Sequence, residues 1–173
     1  MEPSVFILML SATSATAAGY FDLKCHRVPN WLVGLTIVLA LTWHAFVSGL
    51  TGLWSSLAGL LLGAGLLFPL FLLRGMGAGD VKFFGALGAA STYRHLFPLL
   101  AISLFVGAAM AVYVVLRRGS ARETMRNLAD LLGHLLQGRF EPHPVVVIDN
   151  KGALVVHFTG AVAVATWIFV LSR

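Results

Sequence analysis

Residues 53–74 read LWSSLAGLLLGAGLLFPLFLLR, and no charged side chain occurs before Arg74. An apolar stretch of about 20 residues is long enough to cross the hydrocarbon core of a bilayer as a helix. The whole chain has this character, because 58% of its 173 residues are hydrophobic and 11% are charged, with a mean hydropathy of +0.88. Soluble domains carry about 25% charged residues. The composition therefore excludes a water-soluble globular enzyme and a disordered chain, and it predicts an all-α, polytopic membrane helical bundle.

The apolar segments predict about six transmembrane segments within a single integral membrane domain, residues 1–173. The segments are residues 3–21, 31–47, 53–73, 81–92, 96–116 and 153–171. The fourth has about 12 residues and would span about 18 Å as a helix, which is too short for a bilayer core of about 30 Å. Either this fourth segment continues past Arg94, or it packs against the other helices, where protein covers its polar groups; we favour the second interpretation.

Lysine and arginine fall mainly on one side of this predicted topology. Ten lie in alternate loops on one side, and two lie on the other: Lys24, Arg27, Arg74, Lys82, Arg117, Arg118, Arg122, Arg126, Arg139 and Lys151 against Arg94 and Arg173. Because cytoplasmic loops carry the excess of positive charge, we expect a multi-pass protein of the cytoplasmic (inner) membrane with both termini outside. The net charge of +5 then reflects topology and the lipid bilayer, and we expect no nucleic-acid partner.

The first apolar segment could instead be a secretory signal peptide, because Ala15-Thr16-Ala17-Ala18 is similar to a cleavage site. A signal peptide begins with basic residues, whereas this chain has Glu2 and no lysine or arginine before its first apolar segment. We therefore expect the segment to be retained as a helix.

Residues 117–152 form the longest polar stretch. Ser120 and Glu123 fit the capping box that begins a helix. Apolar residues then recur at helical spacing, at Met125, Leu128, Leu132 and Leu135. This pattern predicts an amphipathic helix on the cytoplasmic membrane surface. A helix that docks a partner is the alternative.

Asp22 and Asp80 differ from the other five acidic residues because each lies at the boundary of an apolar segment. The first segment runs inward and ends at Asp22, and the fourth runs outward from Asp80, so both carboxylates are predicted at one depth near the cytoplasmic face. Two carboxylates that share a partly dry site cannot both ionise easily, and such a pair suits aspartic hydrolysis. Alternatively, Asp80 only caps a helix, and Asp22 is an interfacial acid among bases.

Glycines precede Asp80 in the sequence Gly77-Ala78-Gly79-Asp80, which continues as Val81-Lys82. Glycine permits a close approach of another chain segment to the acid. This stretch resembles the GxGD motif of the type IV prepilin peptidases. Asp22 followed by Arg27-Val28-Pro29-Asn30 resembles the other motif of that family, and the resemblance covers about residues 3–116.

The resemblance implies a membrane aspartic endopeptidase that cleaves prepilin leader peptides at the cytoplasmic face, with Asp22 and Asp80 as the catalytic pair. Larger members carry a methyltransferase region with paired cysteine motifs, whereas this chain has only Cys25. The chain therefore resembles the short, peptidase-only form of tight-adherence (Flp) pili. One departure concerns the last segment, where His157-Phe158-Thr159-Gly160 stands in place of the Pro-aromatic element found in relatives.

Five further residues are expected to bind substrate or support the site. They are Gly77, Gly79, Lys82, Asn30 and Arg27. Each of the last three has a simpler interpretation, since Lys82 and Arg27 suit a positive cytoplasmic side and Asn30 suits a turn. The six histidines show no metal-ligand spacing, so we expect no metal and no cofactor.

A non-catalytic membrane scaffold or small transporter-like protein is the alternative function, because intramembrane acids often mark ion paths. A path requires acids at several depths, whereas Asp22 and Asp80 are predicted at one. The peptidase hypothesis is therefore favoured, with a prepilin as substrate. The sequence indicates neither the oligomeric state nor which Asp carries the proton.

Overall fold

A computed structural model of the protein describes residues 5–25, 27–72, 76–118, 122, 125–126 and 158–172. Its helices are α1 (Val5–Cys25), α2 (Asn30–Leu72), α3 (Ala78–Arg118) and α4 (Phe158–Leu171). These ranges contain no strand, so the predicted all-α class is confirmed for them. The amphipathic helix predicted within residues 117–152 falls almost entirely outside the described residues.

Helix α1 continues one turn beyond the predicted end at residue 21, as far as Cys25. Residues 22–25 contain neither proline nor glycine, and Lys24 in the last turn complements the negative end of the helix dipole. Asp22, predicted as the end of the first helix, consequently lies within the last turn of α1.

Helix α2 folds back on itself at Gly49, whose backbone angles are φ 60° and ψ −145°. Glycine adopts this conformation without the steric cost that a Cβ would bring. A Cβ built on Gly52 would lie 2.2 Å from the carbonyl oxygen of His44, so the residues on either side of the reversal touch. The reversal lies within residues 48–52, where the sequence predicted a tight turn.

Helix α3 also reverses, at Thr92 (φ 57°, ψ 170°), an unusual conformation for a β-branched residue. Phe158 lies against both halves: its ring centroid is 6.5 Å from that of Phe84, and its Cδ2 lies 3.8 Å from a Cβ built on Gly107. The two halves of α3 therefore lie side by side.

Carbonyl groups at the end of the first half of α3 receive hydrogen bonds from α2. Ser56 Oγ donates to the oxygen of Ala89 at 2.7 Å. His44 Nε2 lies 2.9 Å from the oxygen of Ala90, and because a carbonyl only accepts, this nitrogen carries the hydrogen. The interruption at Thr92 would otherwise leave these carbonyls unpaired inside the protein.

The second half of α2 crosses the first half of α3 at backbone contact. A Cβ on Gly59 would lie 2.1 Å from the carbonyl oxygen of Gly88, and a Cβ on Gly88 would lie 2.2 Å from that of Gly59. One turn further, a Cβ on Gly63 would lie 2.8 Å from the oxygen of Phe84. Small residues permit such close crossings between membrane helices.

The first half of α3 forms the centre of the molecule, since residues 83–91 are all buried. This agrees with the expectation that the short fourth segment packs among other helices. Helix α4 covers it together with α1, and Trp167 Nε1 of α4 donates to Thr16 Oγ1 of α1 at 2.8 Å. The largest fully buried apolar side chains are Phe83, Phe84, Leu87, Leu96, Leu99 and Val162.

Among the residues that the structure describes, three helical stretches are long and apolar enough to cross a membrane: Val5–Cys25, Asn30–Leu72 and His95–Arg117. Helix α4 is apolar but shorter. Many of their large apolar side chains are exposed, Phe46 and Phe105 among the most exposed, as expected for surfaces that face lipid. These features indicate a membrane protein, and the count of about six transmembrane segments stays a prediction.

Candidate active site

Asp80 lies in the first turn of α3. The carbonyl oxygen of Gly77 accepts hydrogen bonds from the backbone N–H groups of Asp80 (3.2 Å) and Val81 (3.4 Å), so the helical pattern begins at Gly77. The positive end of the helix dipole favours an acidic side chain at this position. The Asp80 side chain is half-buried, so it can reach both the protein interior and a substrate.

Gly77 leaves space for the carboxyl group of Asp80. A Cβ built on Gly77 would lie 3.3 Å from Oδ2 of Asp80, which is tighter than an ordinary van der Waals contact. Any side chain at position 77 would therefore press on this oxygen. The structure thus places Gly77, predicted to support the site, in contact with the acid.

Gly79 joins the loop before Asp80 to the turn that follows α1. A Cβ on Gly79 would lie 3.5 Å from both the backbone nitrogen and the Cβ of Val28, and Val28 is buried. Val28 belongs to the second of the two sequence motifs, residues 27–30, and Gly79 to the first. The two motifs are far apart in the sequence and pack against each other in the structure.

Thr159, in the first turn of α4, contacts Asp80. Its side chain is buried, and its hydroxyl donates a hydrogen bond to Oδ1 of Asp80. The backbone of Thr159 and Gly160 also lies against α1: a Cβ on Gly19 would be 3.7 Å from the Thr159 oxygen and 3.6 Å from the Gly160 Cα. The first turn of α4 therefore contacts Asp80 directly and α1 next to its last turn.

Asp22 lies three residues after Gly19 and so on nearly the same face of α1. Its side chain is half-buried, and its Oδ2 atom is shielded from solvent. Since Gly19 packs on the first turn of α4, both Asp22 and Asp80 belong to the end of the bundle where α1 finishes and α3 begins. The assignment of the two as a catalytic pair stays a prediction.

The other predicted site residues lie at the surface. Lys82, Arg27 and Asn30 all have exposed side chains. Asn30 is the first residue of α2, where the oxygen of Pro29 accepts hydrogen bonds from the backbone N–H groups of Leu32 (3.1 Å) and Val33 (3.3 Å). The side chains of these three residues are therefore accessible to a substrate, and their role in the site stays a prediction.

Within the described ranges, no three His, Cys, Asp or Glu side chains come close enough together to hold a metal ion. Cys25 is exposed at the end of α1. The absence of a metal and of a cofactor from the reaction stays a prediction.

In a comparison with known protein families, the model of the type IV leader peptidase family matches residues 8–112. The chain belongs to this family. No curated protein and no solved structure matches it significantly. Membership confirms the resemblance seen in the two motifs and indicates a leader peptidase with a protein substrate. The match includes Asp22, Asp80 and their glycines, whereas α4 lies outside it.

Thr159 is the contact of this leader peptidase site that sequence reasoning missed. The sequence of residues 157–160 shows only a departure from the Pro-aromatic element of relatives. One local signal was present: Thr159 is a polar residue at the start of an apolar stretch, 153–171, and a polar group there needs a hydrogen-bond partner. Nothing local indicated that the partner lies 79 positions earlier.

Proposed function

We propose that this leader peptidase is a membrane aspartic endopeptidase in which Asp22 and Asp80 carry out the cleavage of type IV prepilin leader peptides. The observation that carries the proposal is the seating of the Asp80 carboxyl group, which lies over Gly77 and accepts a hydrogen bond from Thr159. Helix α1, with Asp22 in its last turn, packs against the same turn of α4. Because α4 contacts both the acid and α1, Asp80 is supported by more than its own helix, which favours a constructed site over a simple helix cap.

The proposed reaction needs one ionised and one protonated carboxyl group. The ionised group takes a proton from water while the water oxygen bonds to the carbonyl carbon of the scissile peptide. The protonated group donates its proton to the carbonyl oxygen, which gives a tetrahedral diol. The carboxyl group that took the proton from water then passes it to the peptide nitrogen as the C–N bond breaks. The other carboxyl group takes back its proton from a hydroxyl of the diol as the carbonyl re-forms.

The position of the site suits a substrate that is partly embedded in the membrane. Asp22 lies at the end of one candidate span, and Asp80 precedes a buried helical segment, so both are placed near a membrane boundary rather than at its centre. The lysine and arginine distribution assigns that boundary to the cytoplasmic side. We propose that the apolar helix of a prepilin stays in lipid while its basic leader reaches this side and is cut after a leader glycine.

The proposed substrate is a pilin of the tight-adherence (Flp) type, and the proposed activity is cleavage without methylation of the new N-terminus. Both follow from the resemblance of this chain to the short, peptidase-only form. The location that this implies is the cytoplasmic (inner) membrane.

A cleavage assay tests the proposal. The purified protein, in detergent and in liposomes, is incubated with a tight-adherence prepilin that carries its leader, with and without EDTA. Wild type, Asp22→Asn and Asp80→Asn are compared by gel and mass spectrometry. Cys25→Ser is the matched control, because Cys25 is exposed in the same last turn of α1 as Asp22.

We expect wild type and Cys25→Ser to remove the leader with or without EDTA, and both Asp variants to be folded and inactive. Cleavage at the wild-type rate by either Asp variant would show that this Asp is structural. Absence of cleavage by wild type with every prepilin would favour the scaffold or transporter-like alternative. Loss of activity in Cys25→Ser or in EDTA would replace the aspartic mechanism by a thiol or metal mechanism.

A further inference from the structure

We propose that Thr159 is a positioning residue for this reaction: its hydroxyl holds the Asp80 carboxylate as the general base, which leaves Asp22 as the proton donor. This inference rests on the proposed function. It concerns a helix that the family match does not include, since the match ends at residue 112.

The first argument is the hydrogen bond itself. An ionised carboxylate only accepts hydrogen bonds, and a threonine hydroxyl has one hydrogen to donate. The Thr159 hydroxyl donates to Oδ1 of Asp80, and Thr159 is 1% exposed, so water cannot readily replace this donor. Donation to the charged form of a carboxyl group favours that form.

The second argument is the position of each acid on its helix. Asp80 lies in the first turn of α3, where the helix dipole favours a negative charge. Asp22 lies in the last turn of α1, Val5–Cys25, where the dipole disfavours one. The two helix ends therefore favour the same assignment as the hydrogen bond, with Asp80 ionised as the base and Asp22 protonated as the donor.

Basic side chains near the two acids do not reverse the assignment of Asp80 as the base and Asp22 as the proton donor. Lys24 and Arg27 follow Asp22, and Lys82 follows Asp80, and all three side chains are exposed. Lys24 extends along α1 to Tyr20, with Nζ 3.5 Å from the tyrosine hydroxyl. Water and salt screen exposed charges strongly, so the buried hydrogen bond dominates.

The third argument is that Thr159 is fixed from both sides. Phe158 packs on Phe84 of α3, and Gly160 packs on Gly19 of α1 with 3.6 Å between the Gly160 Cα and a Cβ built on Gly19. The Thr159 hydroxyl is therefore held in a fixed position. The other carboxyl oxygen of Asp80, Oδ2, lies next to Gly77. A fixed carboxylate orients the attacking water, which is the role of a positioning residue.

The test compares Thr159→Val, which removes the hydroxyl at nearly constant volume, with Thr159→Ser, which retains it. Thr166→Val is the matched control: Thr166 is also on α4 and 1% exposed, but its hydroxyl donates to its own helix, at the oxygen of Val162 (2.7 Å). For each variant, kcat and KM for prepilin cleavage, the pH profile of kcat/KM and the thermal unfolding temperature in detergent are measured.

We expect Thr159→Val to lower kcat about 10- to 100-fold, since hydrogen bonds to charged groups have this weight, with little change in KM. The acid limb of its pH profile moves to higher pH, because the base is protonated more easily without its donor. Thr159→Ser retains most of the activity, and the acid limb of its pH profile stays at the wild-type position. Thr166→Val changes neither the activity nor the pH profile.

The proposal is overturned if Thr159→Val keeps the wild-type kcat and pH profile while Asp80→Asn is inactive. It is also overturned if Thr159→Val and Thr166→Val lower activity and unfolding temperature equally, which would show a packing role. Failure of the proposed function has a different signature, namely activity in the Asp→Asn variants or none in wild type.

Discussion

Gly79 faces Val28 across two segments that the sequence separates widely: a Cβ on Gly79 would lie 3.5 Å from the Cβ of Val28. The loop that carries Asp80 is thereby seated on the turn that follows α1. That distance is the ordinary spacing of two carbon atoms, so a methyl group fits at position 79, whereas further atoms directed at Val28 would clash with it.

We therefore predict that Gly79→Ala retains most cleavage activity and that Gly79→Leu loses it. The leucine side chain would push the loop away from Val28 and move Asp80 relative to α1. Since a misplacement of about 1 Å can cost about 100-fold in rate, kcat should fall by about that factor in the leucine variant. Equal activity in the alanine and leucine variants would show that the loop has other ways to hold Asp80.

At Gly77, unlike at Gly79, we predict that substitution by alanine alone lowers the activity. Its new Cβ would lie 3.3 Å from Oδ2 of Asp80, and the carboxyl group must shift by a few tenths of an ångström. We expect kcat to fall about tenfold with the unfolding temperature nearly unchanged, because a rotation of the Asp80 side chain relieves the contact. Gly65→Ala, where no atom lies within 4 Å of the new Cβ, is the control.

Substitutions at the crossing of α2 and α3 are predicted to lower the stability of the protein rather than to affect the catalytic step directly. In Gly88→Ala the Cβ would lie 2.2 Å from the Gly59 carbonyl oxygen, and backbone cannot move aside as a side chain does. Overpacking of this kind costs at least about 1–3 kcal/mol. Thermal unfolding in detergent should show a clear decrease for Gly88→Ala and none for Gly34→Ala, which has free space around its Cβ.

Ser56→Ala tests the interruption of α3. The variant removes the donor to the Ala89 oxygen in a place where Ser56 is 0% exposed. A buried polar group without a partner costs about 1–3 kcal/mol, so the free energy of unfolding should decrease by that amount. Thr51→Ala, which removes an exposed hydroxyl near the reversal of α2, should change it little. Similar values for both variants would show that another group pairs with this carbonyl.

Elements whose signals are local could be predicted from the sequence. The reversal of α2 follows from the short glycine-containing link at 48–52, and the start of α3 follows from the glycine-rich stretch ahead of Asp80. The length of the fourth segment favoured its burial over a continuation past Arg94. In each case a few neighbouring residues determine the backbone, so a reading of the sequence suffices.

Features that depend on contacts between distant residues could not be predicted in the same way. The first helix was predicted to end at Asp22, and it continues to Cys25 because nothing in residues 22–25 stops it. The hydrogen bond from Thr159 to Asp80 depends on how α4 packs between α1 and α3, and no local pattern encodes that packing. The backbone contact of Gly59 with Gly88 likewise needs the crossing of two helices.

The hydrogen bond between Thr159 and Asp80 also has a consequence for biogenesis. Asp80 leaves the ribosome 79 residues before Thr159 does, and Phe84 likewise precedes its partner Phe158 by most of the second half of the chain. A nascent chain that has inserted α1, α2 and α3 therefore holds the acid but not the group that orients it. If Thr159 positions the base as proposed, proteolytic competence is acquired late in translation, only after α4 has entered the bundle.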